Sequence, residues 1–138
     1  PDDVLYTGLS LTHGNAHAVT LVPSLTTETK AVFSARFTRS RIWDIARKYG
    51  CTSFSLLGGM ASGIYNMPAR DSDADNPVRT VISAGTPTAI WEGFEKRFDV
   101  KILEWYAAVE GGFCRSMGCG ILNRATINPS KLSEQKPD

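Results

Sequence analysis

The sequence VKILEWYAAVEGG, at residues 100–112, is the strongest indication of how this chain folds. Its apolar first half predicts a buried strand at residues 100–105. Small residues, the carboxylate of Glu110 and two glycines follow. A rigid strand that ends in chain with little side-chain bulk is suited to holding a small molecule. The stretch therefore predicts one strand of an α/β sheet, with a binding site at its carboxyl end.

Upstream of this stretch, strand-like and helix-like segments alternate. The predicted strands are residues 4–11, 30–34, 52–57 and 78–83. The predicted helices are residues 15–25, 38–49, 60–67 and one that begins at residues 86–87. Alternation of this kind predicts a doubly wound, flavodoxin-like α/β fold, with a mainly parallel five-stranded sheet and helices on both faces.

Two of these helices carry end signals. Thr38 or Ser40 is expected to cap the helix that stops at Gly50, with Tyr49 on its buried face. Thr86 is expected to cap the last helix, because a proline follows it at the first turn.

Right-handed crossovers put the carboxyl ends of parallel strands at one edge of the sheet, where open α/β sheets bind ligands. Small residues at 83–87 would let a flat ring approach the backbone there. The alternative is that this segment only starts and caps a helix and binds no ligand. Gly58 and Gly59 follow another strand and are a second candidate for ligand binding. The alternative is that they only allow a tight turn from strand to helix. Tyr106 and Glu110 together suggest a ring platform and a metal-binding carboxylate.

Composition limits the classes of function. A chain of 138 residues predicts one domain, taken as an α/β subdomain at residues 1–113 with a poorly defined C-terminal tail at 114–138. A net charge of +1 gives no field that would attract nucleic acid. No apolar stretch is long enough to be a transmembrane segment. The abrupt start on a strand predicts a chain cut from something longer.

Other metal and redox patterns are weak. The 3 cysteines are an odd number without metal spacing, which predicts free thiols and a reducing, cytoplasmic location. Residues 71–76 resemble the start of a calcium loop, but Asn76 and Ile82 stand where glycine and glutamate are required. An acidic, solvated loop is therefore expected. His13 and His17 lack the glutamate of a zinc pair, and His13 alone is a candidate site residue.

Four segments, in order, resemble the acyl-CoA synthetase superfamily, whose members are AMP-binding, adenylate-forming enzymes. They are residues 9–15, 37–43, 83–87 and 104–110, similar in turn to Pro-Leu-x-His-x-x-Gly/Asn, Phe-Ser-Ala-Ser-Arg-Phe-Trp, Gly-Gly-Ala-Pro and Tyr-Gly-x-Thr-Glu. The second segment is nearest the crotonobetaine/carnitine-CoA ligase and fatty-acid-transport-protein branches. The resemblance covers residues 3–112 and implies a fragment of the large N-terminal domain.

The resemblance implies an ATP-dependent carboxylic acid–CoA ligase, which forms an acyl-adenylate and then an acyl-CoA thioester. The implied cofactors are ATP/AMP, Mg²⁺ and coenzyme A. The implied partners are a small-molecule carboxylic acid and the remaining domains of the parent ligase, without which the isolated chain is expected to be inactive. The alternative is a non-catalytic α/β module that binds a nucleotide or an acyl group.

The resemblance also implies roles for single residues. Glu110 would be the Mg²⁺ ligand and, with His13, catalytic. His13, Gly58 and Gly59 would bind the acyl substrate. The implied nucleotide-binding residues are Ser83, Ala84, Gly85, Thr86, Glu104, Trp105, Tyr106, Ala107 and Val109.

Two positions depart from the superfamily pattern. Ala107 replaces a glycine, and Val109 stands where a threonine hydroxyl touches the α-phosphate. Removing a donor of this kind costs about 2–4 kcal/mol in transition-state stabilisation in enzymes. Either backbone groups compensate for the missing hydroxyl, or the ligase is slow or specialised; Val109 also supports the non-catalytic alternative.

Overall fold

Parallel strands form the centre of the computed structural model, which describes residues 2–105, 107–108 and 112–113. The strands of the main sheet are β1 (Val4–Thr7), β2 (Lys30–Phe33), β3 (Ser53–Leu57), β4 (Thr80–Ala84) and β5 (Lys101–Glu104). They lie in the order β2-β1-β3-β4-β5, and each neighbouring pair is parallel. The prediction of a doubly wound, five-stranded parallel sheet is confirmed.

Helices cover both faces of this sheet, as predicted. They are α1 (Gly14–Ala16), a π-helical turn (His17–Leu21), α2 (Val22–Thr26), α3 (Ile42–Tyr49), α4 (Gly58–Tyr65) and α5 (Thr88–Phe98). The connection from β1 to β2 runs opposite to all later ones, and right-handed crossovers therefore put α1 and α2 on one face and α3, α4 and α5 on the other.

Aromatic rings pack α3 and α5 against the sheet. The ring of Trp43 stacks on that of Phe98, with centroids 4.5 Å apart, and meets Phe54 edge-on at 5.3 Å. Phe94 packs against Phe98 at 4.7 Å. Each fully buried side chain of this size contributes about 1.5–3 kcal/mol. This cluster therefore fixes the helical layer over the central strands.

β1 is shorter than the sequence predicts, because it ends at Thr7 and not at Leu11. The chain turns at Gly8, where an added Cβ would lie 3.1 Å from the Cα of Phe37. Close contact with a neighbouring loop thus ends the strand early, and Leu11 is exposed.

The predicted cap and buried face of α3 are wrong in part. α3 begins at Ile42 after Arg41, and no side chain caps it. Tyr49 is 52% exposed, because the chain leaves the helix at Gly50, which adopts φ +64°, and Cys51 enters the core instead.

The loop at residues 70–76 is not simply solvated, because Asp73 is buried in it. Its carboxylate accepts hydrogen bonds from Arg97 Nε (2.7 Å) and from the backbone N–H of Arg70 (3.0 Å). The other guanidinium N–H groups of Arg97 donate to carbonyls at the end of α4 and just beyond it, which are those of Tyr65, Met67 and Pro68. One arginine of α5 therefore ties the loop to the end of α4.

The ion pair between Asp73 and Arg97 should make the stability of the protein sensitive to acid. Burial raises the pKa of Asp73, but the hydrogen bonds from Arg70 and Arg97 and the Arg97 charge outweigh it, so that the pKa lies below its usual 3.8. A carboxyl with a depressed pKa stabilises the fold above its unfolded-state pKa, and that contribution is lost as pH falls through the folded-state pKa. We expect the free energy of unfolding to decrease as the pH is lowered below about 4. Urea unfolding of the wild type and of Asp73→Asn across pH 2.5–7 checks this. The variant should be less stable than the wild type at neutral pH, and its free energy of unfolding should decrease less on acidification. Parallel pH profiles would contradict it.

A short antiparallel pair that the sequence did not indicate follows the sheet. Its strands are β6 (Ala107–Ala108) and β7 (Gly112–Phe113). The predicted tail at 114–138, including Cys114 and Cys119, lies outside the described residues. Among the residues that are described, no helix has the length and apolar character needed to cross a membrane.

Candidate functional site

Loops from four strands meet at the carboxyl edge of the sheet. Strand order reverses between β1 and β3, which creates the kind of crevice where α/β sheets bind ligands. His13 follows β1, Gly58 follows β3, Gly85 follows β4 and Glu104 ends β5. Because the strands are parallel, the structure brings these predicted site residues to one edge.

Three of the predicted residues cannot be located in this way. Tyr106, Val109 and Glu110 lie outside the described residues, and Ala107 is described only as backbone of β6. Their roles stay predictions. Within the described part of the chain, no group of three or more His, Cys, Asp and Glu residues could hold a metal ion.

His13 stands at the start of α1, beside the β1–β3 crevice. Its ring Nδ1 accepts a hydrogen bond from the backbone N–H of Asn15 at 3.1 Å, which caps the helix. A ring nitrogen that accepts a hydrogen bond carries no proton, so the proton of the neutral ring is on Nε2. His13 is exposed, and Nε2 is the ring nitrogen that the helix cap leaves available.

Asn15 is the last residue of the segment at 9–15, but the sequence indicated no role for it in the site. It is buried, and its side-chain Nδ2 donates to the carbonyl of Leu56 in β3 at 3.2 Å. This bond crosses the point where strand order reverses and fixes α1 to the neighbouring strand. Its place in the segment at residues 9–15 that resembles the superfamily is the signal that could have indicated it.

Gly58 and Gly85 bring two turns into backbone contact. A Cβ added to Gly58 would fall on the carbonyl of Gly85, whereas one added to Gly59 would meet nothing within 4 Å. Gly85 adopts φ +77°, a left-handed conformation that favours glycine. The β3–α4 and β4–α5 turns therefore touch with no side chain between them.

Glu104 holds the second of these turns from the side of β5. It is 7% exposed, and its Oε1 accepts hydrogen bonds from the backbone N–H groups of Gly85 and of Thr86, the latter at 3.2 Å. The backbone N–H of Trp105 donates to the carbonyl of Ser83 at 3.0 Å. The turn at residues 83–86 is thus bonded at both ends to the same strand.

The predicted cap by Thr86 is wrong. Pro87 precedes the first residue of α5, and no side chain caps this helix. The hydroxyl of Thr86 instead donates to Ser83 Oγ at 2.5 Å, inside the turn. A local partner has therefore replaced the helix cap.

Burial dominates the ionisation of Glu104. It raises the pKa of the carboxyl above 4.5, while the hydrogen bonds from Gly85 and Thr86 partly oppose this shift. The group is nevertheless positioned as an acceptor, since both N–H groups donate to it.

Curated proteins supply relatives of this chain, although no family model matches it. The chain is 32% identical over 110 residues to long-chain fatty acid transport protein 2 of Rattus norvegicus, covering 79% of the chain and 18% of that protein. It is 33% identical over 132 residues to the medium/long-chain-fatty-acid–CoA ligase FadD6 of Mycobacterium tuberculosis, covering 95% of the chain and 22% of the ligase. The chain therefore spans about a fifth of the length of these relatives.

Solved structures share the fold. A benzoate CoA ligase from Burkholderia xenovorans superposes with a TM-score of 0.69 at 23% identity, over 78% of the chain and 22% of the ligase. The O-succinylbenzoate coenzyme A synthetase of Bacillus subtilis, in complex with ATP and magnesium ion, gives 0.65 at 18% identity, over 79% and 22%. At these identities the likeness shows that the sheet and its helices have the same arrangement.

Proposed function

Since this chain belongs to the AMP-binding superfamily of acyl-CoA synthetases, we propose that it forms the nucleotide-binding edge of an ATP-dependent carboxylic acid–CoA ligase. In this reaction a carboxylate oxygen attacks the α-phosphorus of ATP, and pyrophosphate leaves. The thiol sulfur of coenzyme A then attacks the acyl carbon, the thiol proton is lost and AMP leaves. The names of the relatives favour a fatty acid of medium or long chain as the substrate.

One observation carries the proposal, which is the contact between Gly58 and Gly85 at the carboxyl edge. Two turns without intervening side chains leave bare backbone, on which a flat base can lie. Trp105 borders the same turn, and Tyr106 would follow it as a stacking ring. A solved neighbour with this fold is a complex with ATP and magnesium ion, which supports the assignment of the nucleotide.

The acyl side of the site is assigned to the neighbouring crevice. His13 offers Nε2 where the acyl carboxylate and the α-phosphate would meet, because Nδ1 is held by Asn15. Gly59 is exposed with open space around it, which suits the passage of an acyl chain.

The proposed cellular setting is the reducing cytoplasm. The thiol of Cys51 is buried, with its pKa raised to about 11, and in that setting it stays a thiol.

We propose that magnesium is held at this site through a single carboxylate. Mg²⁺ keeps several waters and binds through one or two carboxylates plus substrate phosphates, so no cluster of acidic residues is needed. Glu110 is the residue proposed to hold it. When bound, the ion neutralises charge on the phosphates during transfer.

The proposal is tested by ATP–pyrophosphate exchange with fatty acids in the full-length protein that contains this chain. We expect acid-dependent exchange in the wild type and a loss on the order of 100-fold in Glu110→Gln, because the ligand that neutralises phosphate charge is removed. Asp71→Asn, an exposed carboxylate in another loop, is the matched control and should leave exchange unchanged. The 138-residue chain alone should form no acyl-CoA.

Other results would select other functions. Undiminished exchange in a folded Glu110→Gln variant would remove this residue from the site. Calorimetric binding of ATP or AMP by a wild type without exchange would favour the non-catalytic module, which Val109 supports. A full-length protein that neither exchanges pyrophosphate nor binds nucleotide would rule out both.

A further inference from the structure

The carboxylate of Glu104 is directed at the protein's own backbone. Oε1 accepts hydrogen bonds from the N–H groups of Gly85 and Thr86, and Oε2 lies 3.4 Å from the N–H of Thr86. Ile102 and Glu104 are both buried, as two residues on one face of β5. The carboxylate oxygens are thus engaged with the turn, and the nucleotide-binding role that the resemblance implies for Glu104 stays a prediction.

Burying this charge is unfavourable. Among residues 2–105, no Lys, Arg or His forms an ion pair with Glu104. A buried carboxylate without a cation loses several kcal/mol of hydration free energy, and only hydrogen bonds to the ion offset this loss. Hydrogen bonds to an ionised acceptor are about twice as strong as neutral ones. The buried carboxylate of Glu104 is therefore unfavourable by itself, and its strong hydrogen bonds to one short turn offset that cost and hold the turn firmly.

The turn that it holds is the one at which the proposed base lies. Gly85 has φ +77° and presents its carbonyl to Gly58, so a small rotation of this peptide would open or block the contact between the two turns. The N–H group of that same peptide, which is that of Thr86, and the N–H group of Gly85 just before it are the ones bonded to Glu104. The conformation of Gly85 and the position of its carbonyl are thus set from β5.

We propose that Glu104 is a positioning residue, which rests on the function proposed above: it presets the turn at Gly85 and Thr86 for the nucleotide base. Its contribution is to the affinity for ATP, because the base is bound in the same way before and during phosphoryl transfer. The rate of the chemical step depends on groups at the α-phosphate, which lie at the other end of the nucleotide. Removal of the carboxylate therefore raises KM for ATP and leaves kcat nearly unchanged.

The test is a set of substitutions in the full-length protein. Glu104→Ala removes both acceptors, and we expect KM for ATP to rise on the order of 30-fold, the equivalent of one lost hydrogen bond to a charged group. Glu104→Gln keeps an oxygen that can accept from both N–H groups, and a rise of only about 3-fold is expected. Glu104→Asp is one methylene too short to reach the turn and should resemble Glu104→Ala.

Glu95 provides the matched control. Its Oε1 accepts a hydrogen bond from the backbone N–H of Ile102 at 2.9 Å, which is also a bond between a carboxylate and a backbone N–H, but one that lies nearer the amino end of β5 and away from the turn at Gly85. Glu95→Ala should therefore lower the melting temperature without changing KM for ATP. A purely structural Glu104 would show this same pattern.

The outcomes separate the inference from the function on which it rests. A rise in KM in Glu104→Ala, rescue by Glu104→Gln and no rise in Glu95→Ala support the positioning role. An active wild type whose Glu104 variants keep the wild-type KM overturns this role alone. A wild type without ATP-dependent exchange overturns the proposed function, and the positioning role with it. If Glu104→Ala fails to fold, the comparison between Glu104→Asp and Glu95→Asp decides, and equal KM values overturn the inference.

Discussion

Gly58→Ala should destabilise the protein by about 3 kcal/mol and lower its affinity for ATP by on the order of 100-fold or more. The added methyl group would fall on the carbonyl of Gly85, which is backbone and cannot rotate away like a side chain. Either the β3–α4 turn or the β4–α5 turn must then move. Since Glu104 holds the second turn, the strain has no easy release and both folding and the nucleotide surface are affected.

Gly59→Ala is the control one position away. An added Cβ there meets nothing within 4 Å, and glycine lies in the first turn of α4. Alanine is preferred over glycine in a helix by about 1 kcal/mol, so this variant should be as stable as the wild type or slightly more stable. Urea unfolding and calorimetric titration with ATP measure both effects. Equal behaviour of the two variants would contradict the backbone contact at Gly58.

Arg97→Ala should cost about 3–5 kcal/mol of folding free energy, because it leaves the buried carboxylate of Asp73 without its cation. The side chains of Arg97 and Asp73 are 17% and 10% exposed. Three carbonyls at the end of α4 lose their donor in the same variant. Arg97→Lys should recover little of the loss, because a single ammonium group cannot reproduce the planar fork of donors.

The exposed pair of Arg79 and Asp3 provides the comparison. Their side chains are 65% and 54% exposed, and exposed pairs contribute about 0–1 kcal/mol. Arg79→Ala should therefore be close to the wild type in chemical denaturation. A double-mutant cycle between Asp73→Ala and Arg97→Ala measures the coupling directly, and additive effects would contradict the ion pair.

Local pattern was enough to predict the sheet, and the helical spacing of apolar residues in its last helix agrees with how that helix packs. Alternating strand and helix signals require crossovers, and crossovers require parallel strands. In α5, Ile90, Trp91, Phe94 and Phe98 recur at helical spacing, and the structure buries the last three and packs the first against the core.

The interactions that the sequence did not indicate are between residues far apart in the chain. Arg97 and Asp73 are separated by 24 residues, and nothing in the acidic loop identifies its partner. Thr86 fits the preference for helix caps, but Ser83 in the same turn takes its hydrogen bond. Glu104 was predictable as buried, because it is two residues from Ile102 on a strand, but its backbone partners depend on the fold.

The candidate site was predictable to the extent that it depends on strand ends. His13, Gly58 and Gly85 share an edge because parallel strands share a direction. The close approach of the two glycines was not predictable, since the distance between neighbouring turns is set by the packing of α4 and α5.

The stacking of Trp43 on Phe98 gives this protein an intrinsic optical reporter. A tryptophan held rigidly between aromatic rings produces a near-ultraviolet circular dichroism signal, which disappears when side-chain packing is lost even if helices remain. Arg97 is on the same helix as Phe98, and its guanidinium lies 4.8 Å from the centre of that ring. Loosening of α5 can therefore be observed spectroscopically, without a label and separately from the melting of the helices.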